Sequence, residues 1–597
     1  MCGIIGAFAG KTVDVRQECL RAGLLFMERR GPDGEGFWRE QEVALGHRRL
    51  ATLDLEPRAA QPMHSACGRY VITYNGEIYN FRELRLDLEK QGTRFRTTSD
   101  TEVILALFAS QGESILPRLY GMFAFVVWDR KEKRAFVARD PYGIKPLYYS
   151  ETTQGVVLAS QVKALLATGL VSRDPDPRGQ AGFWLLGSVP EPHTWYREIR
   201  ALPAGHCAWI EEGKMGTIRR WADIGDAWRS AERCPLSEAG VKERVRNAVT
   251  ESVARHVVSD VPVGVFLSGG IDSGTLAGLM VEAGVGQLEG VTLSYKEFEG
   301  SKEDEAPAAA QVAEHYGIRH HVRQVTREEF QRDLPRILET MDQPSIDGVN
   351  TWFVSKGAAE IGLKVVLSGV GGDELFQGYS TFRQLPRVLR ARKAMRLVPG
   401  AIGLAQRAGR WQAGRTGNNR WSFAVDWTAS VAGAWLLSRS LYSPQDLPEL
   451  MGPDVAAEAL QSFSAEEWVT NMSGPLPSDT RLALAHLEAT TYLRNQLLRD
   501  SDWASMDHGI ELRTPLVDAH LLGELQPVLS AFAGFSNKTL LSESPRRPLP
   551  AEITGRTKTG FRIPIADWIG IREPASLGTA SRVWARTVAR HYSASEA

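Results

Sequence analysis

The stretch Val261-Pro-Val-Gly-Val-Phe-Leu-Ser-Gly-Gly-Ile-Asp-Ser-Gly-Thr-Leu-Ala277 decides how the second half of the chain folds. Residues 263–267 are an apolar, β-branched run of the kind that forms a buried strand. Ser268-Gly269-Gly270 is a turn whose glycines let the backbone approach a ligand closely. From Ile271 the pattern is helical, with the helix N-terminus facing that turn. Such a terminus attracts anions, because its free N–H groups and the helix dipole both favour negative charge. The pattern is not Gly-x-x-x-x-Gly-Lys-Ser/Thr, so it is not the ordinary P-loop. The plainer alternative is a tight turn with Asp272 at a helix start.

In that context, Ser-Gly-Gly-x-Asp-Ser resembles the pyrophosphate-binding loop of the PP-loop ATP pyrophosphatases. Those enzymes split ATP between the α and β phosphates and adenylate a substrate. Downstream, strand patterns at 288–294, 319–325 and 363–367 alternate with helical ones, as at 305–316. This predicts a doubly wound parallel sheet with ligands at the strand C-termini. The last strand runs into a second glycine-rich acidic loop, Ser368-Gly-Val-Gly-Gly-Asp-Glu374. Asp272 and Asp373 can then face one Mg²⁺–pyrophosphate from two sides as hard oxygen ligands. Asp373 as a simple helix cap is the alternative.

At 597 residues the chain holds more than one domain. A net charge of −1 offers nothing to nucleic acid or a membrane surface, and no apolar run is long enough to span a bilayer. The start, Met-Cys-Gly-Ile-Ile-Gly, lacks the features of a signal peptide. Five cysteines without paired spacing suggest reduced thiols and a cytoplasmic protein.

Residues 2–10 read as a buried N-terminal strand that puts Cys2 beside the chain end. Removal of Met1 would give Cys2 a free α-amine able to take its thiol proton. On its own Cys2 is as well explained as a small buried cysteine. The following motifs are Arg30-Gly-Pro-Asp-Gly34, Gly46-His-Arg-Arg-Leu50, Tyr74-Asn-Gly-Glu-Ile-Tyr-Asn80, Thr98-Ser-Asp-Thr-Glu102, Gly121-Met-Phe-Ala-Phe-Val-Val-Trp-Asp129 and Arg139-Asp-Pro-Tyr-Gly-Ile-Lys-Pro-Leu-Tyr148. In this order after Cys2 they resemble the class II glutamine amidotransferase domain, an N-terminal-nucleophile hydrolase with layered antiparallel sheets. The resemblance implies that Cys2 attacks the glutamine amide. Asn75 (side chain) and Gly76 (backbone N–H) would hold the oxyanion. Arg49 would grip the α-carboxylate as a fork, and Glu77 and Asp100 would receive the α-ammonium and amide. Alternatively, Arg49 belongs to a solvated basic edge, and Asn75-Gly76 is a hairpin turn.

The two halves together resemble the glutamine-dependent asparagine synthetases over residues 2–570. Asp304-Glu-Ala306, Gly378-Tyr379, Arg499-Asp-Ser-Asp-Trp-Ala-Ser-Met506, Glu511-Leu-Arg-Thr-Pro-Leu-Val-Asp518 and Arg556-Thr-Lys-Thr-Gly-Phe561 extend the match. By that resemblance Leu267 and Leu293 border adenine, and Ser268, Gly269, Gly270 and Ser273 hold phosphate. Ser368 and Gly369 also border the nucleotide. Lys558 would neutralise transition-state charge, or else is a solvated loop lysine. The implied cofactors are ATP and Mg²⁺. The implied substrates are glutamine and a carboxylate acceptor, first of all aspartate. Val370 departs from the pattern, since it stands where asparagine synthetases carry an acid and lactam-forming relatives a tyrosine.

Domain boundaries are expected at 2–205 for the glutaminase, 206–238 for a linker, 239–570 for the amide ligase and 571–597 for an unassigned tail. Amidation of a different carboxylate, a lactam or peptide cyclase and a non-catalytic glutamine- or nucleotide-binding regulator are the competing readings, and a homodimer stays open. Residues 387–420 hold nine Lys/Arg and no Asp/Glu, which reads as a solvated helical face, with a site for an anionic partner as the alternative.

Overall fold

The computed structural model describes residues 2–10, 17–231, 233–416, 418–536, 538–556, 563–569 and 577–594. The first half is a stack of two antiparallel sheets between helices. One sheet has the order Arg200–Ala201, Tyr148–Thr152, Gly155–Ala159, Gly3–Ala9, Val43–Arg49, Gly34–Glu40. The other is built on Tyr70–Ile78, Gly121–Asp129, Arg134–Arg139 and His206–Glu211. The strand Gly121–Asp129 shows why the layers form. Successive strand residues point to opposite faces. Ala124, Val126 and Trp128 pack between the sheets with Ile4, Phe8 and Val71, while Phe123, Phe125 and Val127 pack beneath the helix Asp100–Gln111. On the far side Ile5 and Ala7 meet Leu20 and Leu24 of the helix Gln17–Phe26.

Two elements differ from the sequence expectation. His206–Glu211 pairs with Arg134–Arg139, and Arg219–Arg220 pairs with it in turn, so the first domain's sheet continues past residue 205 into the expected linker. Its inward residues Cys207, Ala208 and Ile210 are buried, which holds it in the sheet. Asn75 and Gly76 do not form a hairpin turn but lie inside the strand Tyr70–Ile78. A Cβ on Gly76 would sit 2.2 Å from the Met122 carbonyl oxygen, so only glycine allows the neighbouring strand to come so close.

The second half carries a five-stranded parallel sheet in the order Arg319–Val325, Glu289–Tyr295, Val263–Phe266, Val365–Leu367, Glu511–Arg513. The doubly wound expectation holds, and the short fifth strand extends it. The tail helix Leu577–Ala594 is part of the core, because Trp584 and Tyr592 are buried and the Tyr592 ring lies 5.5 Å from that of Trp195. Among the described residues no helix is long and apolar enough to cross a membrane.

Candidate active sites

Cys2 precedes the central strand Gly3–Ala9, whose neighbours Val43–Arg49 and Gly155–Ala159 fix it on both sides. Its backbone N–H donates to Asn75 Oδ1 at 3.0 Å, tying the first sheet to the second. With that oxygen engaged, Asn75 Nδ2 is a buried donor with no partner among the described residues. It is a preorganised N–H pair beside the thiol, which is what a developing oxyanion needs. The Cys2 Sγ lies 4.0 Å from the Leu50 carbonyl oxygen, and burial pushes the thiol up from its ordinary value. A base beside the sulfur is therefore required to make the thiolate. Met1 lies outside the described residues.

The other residues expected to bind glutamine fall around this point. Asp100 is buried and accepts from Tyr74 Oη at 2.8 Å and Ile78 N–H at 3.0 Å. Glu77 is 2% exposed, and its Oε1 has no hydrogen-bond partner among the described residues. Burial raises its carboxyl well above the usual range, against the pull of Arg513, whose Nη2 stands 3.5 Å away. Arg49 is turned onto its own loop, donating to the carbonyls of Glu56 at 3.1 Å, Leu53 at 3.3 Å and Asp54. Its fork must leave those carbonyls, at least in part, to hold a substrate carboxylate.

In the second half, Leu267 follows the strand Val263–Phe266 and Leu293 lies in the adjacent parallel strand Glu289–Tyr295, and the Leu267 N–H donates to the Val291 carbonyl at 2.9 Å. Leu293, Ser294, Tyr295, Phe298, Asp304 and Glu305 line a small cavity beside them. Ser273 Oγ accepts from the Ser268 N–H at 3.0 Å and lies 2.8 Å from Ser268 Oγ, which closes the Ser268-Gly269-Gly270 turn. Arg556 crosses over this turn, where a Cβ on Gly269 would stand 2.1 Å from its Nη1. The loop holding Ser368 and Gly369 is pressed against the first one. A Cβ on Gly369 would lie 2.8 Å from Asp272 Cβ, and one on Gly372 would lie 2.3 Å from Asp272 Oδ1.

This contact brings the two aspartates together. Lys538 Nζ sits between them, at 2.6 and 2.7 Å from the Asp272 oxygens and 2.6 Å from Asp373 Oδ1. Burial works against its charge, but the two carboxylates hold its pKa above the ordinary value. One ammonium between two converging carboxylates shows that the pair suits a cation, and the oxygen donor set fits Mg²⁺. Gly378 is forced by this centre, since its Cβ would meet Asp373 Oδ1 at 2.1 Å and Lys538 Cε at 2.2 Å. Sequence reasoning missed Lys538, which lies in an unremarkable Ser536-Asn-Lys-Thr539 segment and reaches the site only through the fold. Lys558 lies outside the described residues. Next to the centre, Glu374 accepts from Tyr379 Oη at 2.6 Å, and burial together with Asp373 pushes it up to about 7.

The two sites share a buried, ionic boundary. Arg513 pairs with Glu511 at 2.6 Å, and Thr52 Oγ1 donates to Glu511 at 3.2 Å. The rings of Tyr79 and His256 approach to 4.0 Å.

Residues 1–222 match the glutamine amidotransferase domain family, and residues 244–580 match the asparagine synthase family. An asparagine synthetase (glutamine-hydrolyzing) 1 of Bacillus subtilis is 31% identical over 95% of this chain and 88% of its own length. The chain belongs to the glutamine-hydrolysing asparagine synthetase family. A putative asparagine synthetase (glutamine-hydrolyzing) of Mycobacterium bovis is 32% identical over the same shares of the two chains. A protein named amidase chry2, from Gibberella zeae, is 30% identical over 61% of this chain and 56% of its own length. As a member of this synthetase family the protein is a carbon–nitrogen ligase, and its nucleotide is ATP.

Proposed function

We propose that this enzyme makes asparagine from aspartate, with glutamine as the nitrogen donor. At the first site the Cys2 thiolate attacks the glutamine side-chain carbonyl. Ammonia leaves, and water hydrolyses the resulting glutamyl thioester to glutamate. Asn75 Nδ2 and the Gly76 N–H hold the oxyanion, while Arg49, Glu77 and Asp100 bind the amino-acid end. At the second site the acceptor carboxylate displaces pyrophosphate from ATP and forms an acyl adenylate. Ammonia then displaces AMP, giving the amide and a proton. Ser268, Gly269, Gly270 and Ser273 cradle the phosphates, and Lys538 and Arg556 bring positive charge to them. Mg²⁺ held by Asp272 and Asp373 would neutralise charge on the leaving pyrophosphate.

The observation that carries this reading is the pairing of two candidate centres in one chain. Cys2 bonded to Asn75 lies in one half, and Asp272 and Asp373 converging on a single cation lie in the other. The names of the Bacillus and Mycobacterium relatives support aspartate as the acceptor.

Val370 favours one second reading, the same chemistry on a less polar carboxylate, such as a natural-product or cell-envelope precursor. Valine neither donates nor accepts a hydrogen bond, and it stands in the loop between Ser368 and Asp373. The test is a panel of carboxylates offered with ATP and saturating ammonia, reading pyrophosphate and amide product. Asparagine from aspartate supports the first reading. Amidation of another carboxylate, with none of aspartate, establishes the second.

A further inference from the structure

Residues 387–420 pack nine cations into a chain whose net charge is −1. They lie on the helices Thr381–Met395 and Ala401–Thr416, on the turn joining them and at the start of Arg420–Trp427. Among the described residues none of the nine pairs with a carboxylate. The same surface exposes large apolar side chains. Leu397 is 84% exposed, Leu404 66% and Trp411 63%, with Val398 and Trp421 also outward. Leu404, Arg407, Trp411 and Arg415 follow one another at helical spacing on an exposed face, and the Arg415 guanidinium lies 5.4 Å from the Trp411 ring centre. A merely solvated face has no use for leucine and tryptophan at its most exposed points.

We propose that this surface docks the enzyme on an anionic lipid bilayer, with Leu397, Val398, Leu404 and Trp411 entering the interface and the arginines meeting lipid phosphates. Both halves of the pattern find partners there. Basic side chains are drawn to the negative surface potential, and tryptophan and aliphatic side chains settle at the headgroup–acyl boundary. A nucleic acid backbone would satisfy the cations but leave the leucines and valine in water. An acidic protein would satisfy the charges without calling for this interleaving. No described helix spans a bilayer, so the protein would lie on the surface and not cross it. The helix Thr381–Met395 begins two residues after Tyr379, so the docking surface is continuous in sequence with the loop carrying Asp373 and Glu374.

The test is sedimentation of the full chain with vesicles. It should bind phosphatidylglycerol vesicles and not phosphatidylcholine vesicles, with binding that weakens as salt rises. Replacing Leu397, Leu404 and Trp411 by Ser keeps every charge. It should lower binding about ten-fold or more while ammonia-dependent pyrophosphate release stays unchanged, since these side chains are exposed. Replacing Arg396, Arg407 and Arg410 by Gln should weaken binding to a similar degree. Three results would overturn the proposal. One is no binding to phosphatidylglycerol. Another is full binding by the Ser variant together with equal competition by single-stranded nucleic acid, which marks a polyanion site. The third is self-association that the Ser substitutions abolish without any vesicle binding, which marks a contact between copies.

Discussion

The Arg30 guanidinium donates two hydrogen bonds, of 2.6 and 2.8 Å, to the Asp502 carboxylate across the boundary between the two halves. Its remaining Nε–H donates to the Cys2 carbonyl at 3.0 Å. Both side chains are buried, at 2% and 6% exposure. One guanidinium thus joins Cys2, the proposed glutaminase nucleophile, to the helix Arg499–Met506 of the synthetase half.

Asp502→Asn should therefore injure the glutaminase from the other half. The substitution leaves Arg30 buried with its partner uncharged, and breaking such a pair costs about 3–5 kcal/mol. A displacement of about 1 Å in a reacting group costs on the order of 10²-fold in rate. Glutamine-dependent turnover should fall at least about ten-fold further than ammonia-dependent turnover, and the thermal midpoint should drop. Equal loss with both nitrogen sources would show that Asp502 serves only the synthetase.

The cation centre makes a separate prediction. Asp272→Asn, Asp373→Asn and Lys538→Met should each cut pyrophosphate release, by about 10²–10³-fold where a group stabilising the leaving charge is lost. Glutamine hydrolysis should persist in all three, since Cys2 lies in the other half. Normal ATP turnover in any of them would remove that residue from the site.

Val370→Glu restores an acid to the loop between Ser368 and Asp373. General acid–base help is worth about 10²–10⁴-fold, so even partial recovery is measurable. Asparagine formation from aspartate should speed up at saturating ammonia. A slower variant that remains folded would mean that the wild-type loop already suits its acceptor.

His256 gives a pH dependence. Burial pushes it down to about 4 from an ordinary 6.5, with Nδ1–H donating to the Ser252 carbonyl at 2.8 Å. The unfolded chain therefore takes up a proton below pH 6.5 that the folded chain refuses. Stability is full above that pH and is lost as pH falls toward 4, by about 3 kcal/mol at most from this residue. The thermal midpoint of His256→Gln should fall less between pH 6.5 and 4.5 than that of the wild type, on the order of that difference. Parallel curves would show that other groups govern acid stability.

Much of this site was legible because its residues sit in local patterns. Ser268-Gly-Gly-Ile-Asp272 and Ser368-Gly-Val-Gly-Gly-Asp373 each announce a strand, a turn and a helix start, and the parallel sheet places both loops side by side. Cys2 was legible through the order of its companion motifs. Lys538 was not, because its role depends on a separation of 266 positions from Asp272, which no local pattern encodes. The same holds for Arg30 and Asp502, each inside a quoted motif but paired only by the packing of the two halves. The strand His206–Glu211 is hidden in the sequence because Leu202-Pro-Ala-Gly-His206 before it has the punctuation of a boundary loop, although the chain re-enters the sheet just beyond it. Residues 387–420 showed their charge in sequence, while the exposure of Leu397 and Trp411 needed the fold.

The two proposed half-reactions form one enzyme if nitrogen released at Cys2 reaches the acyl adenylate of the same molecule. The deciding experiment follows amide-¹⁵N glutamine into product in the presence of excess unlabelled ammonium, with aspartate and Mg-ATP. The product should be asparagine enriched in ¹⁵N well above the free ammonia pool. Cys2→Ala enzyme should make only unlabelled asparagine, at the wild-type ammonia-dependent rate. Asparagine labelled no more than the pool, or Cys2→Ala enzyme that is folded but inactive with ammonia, would contradict it.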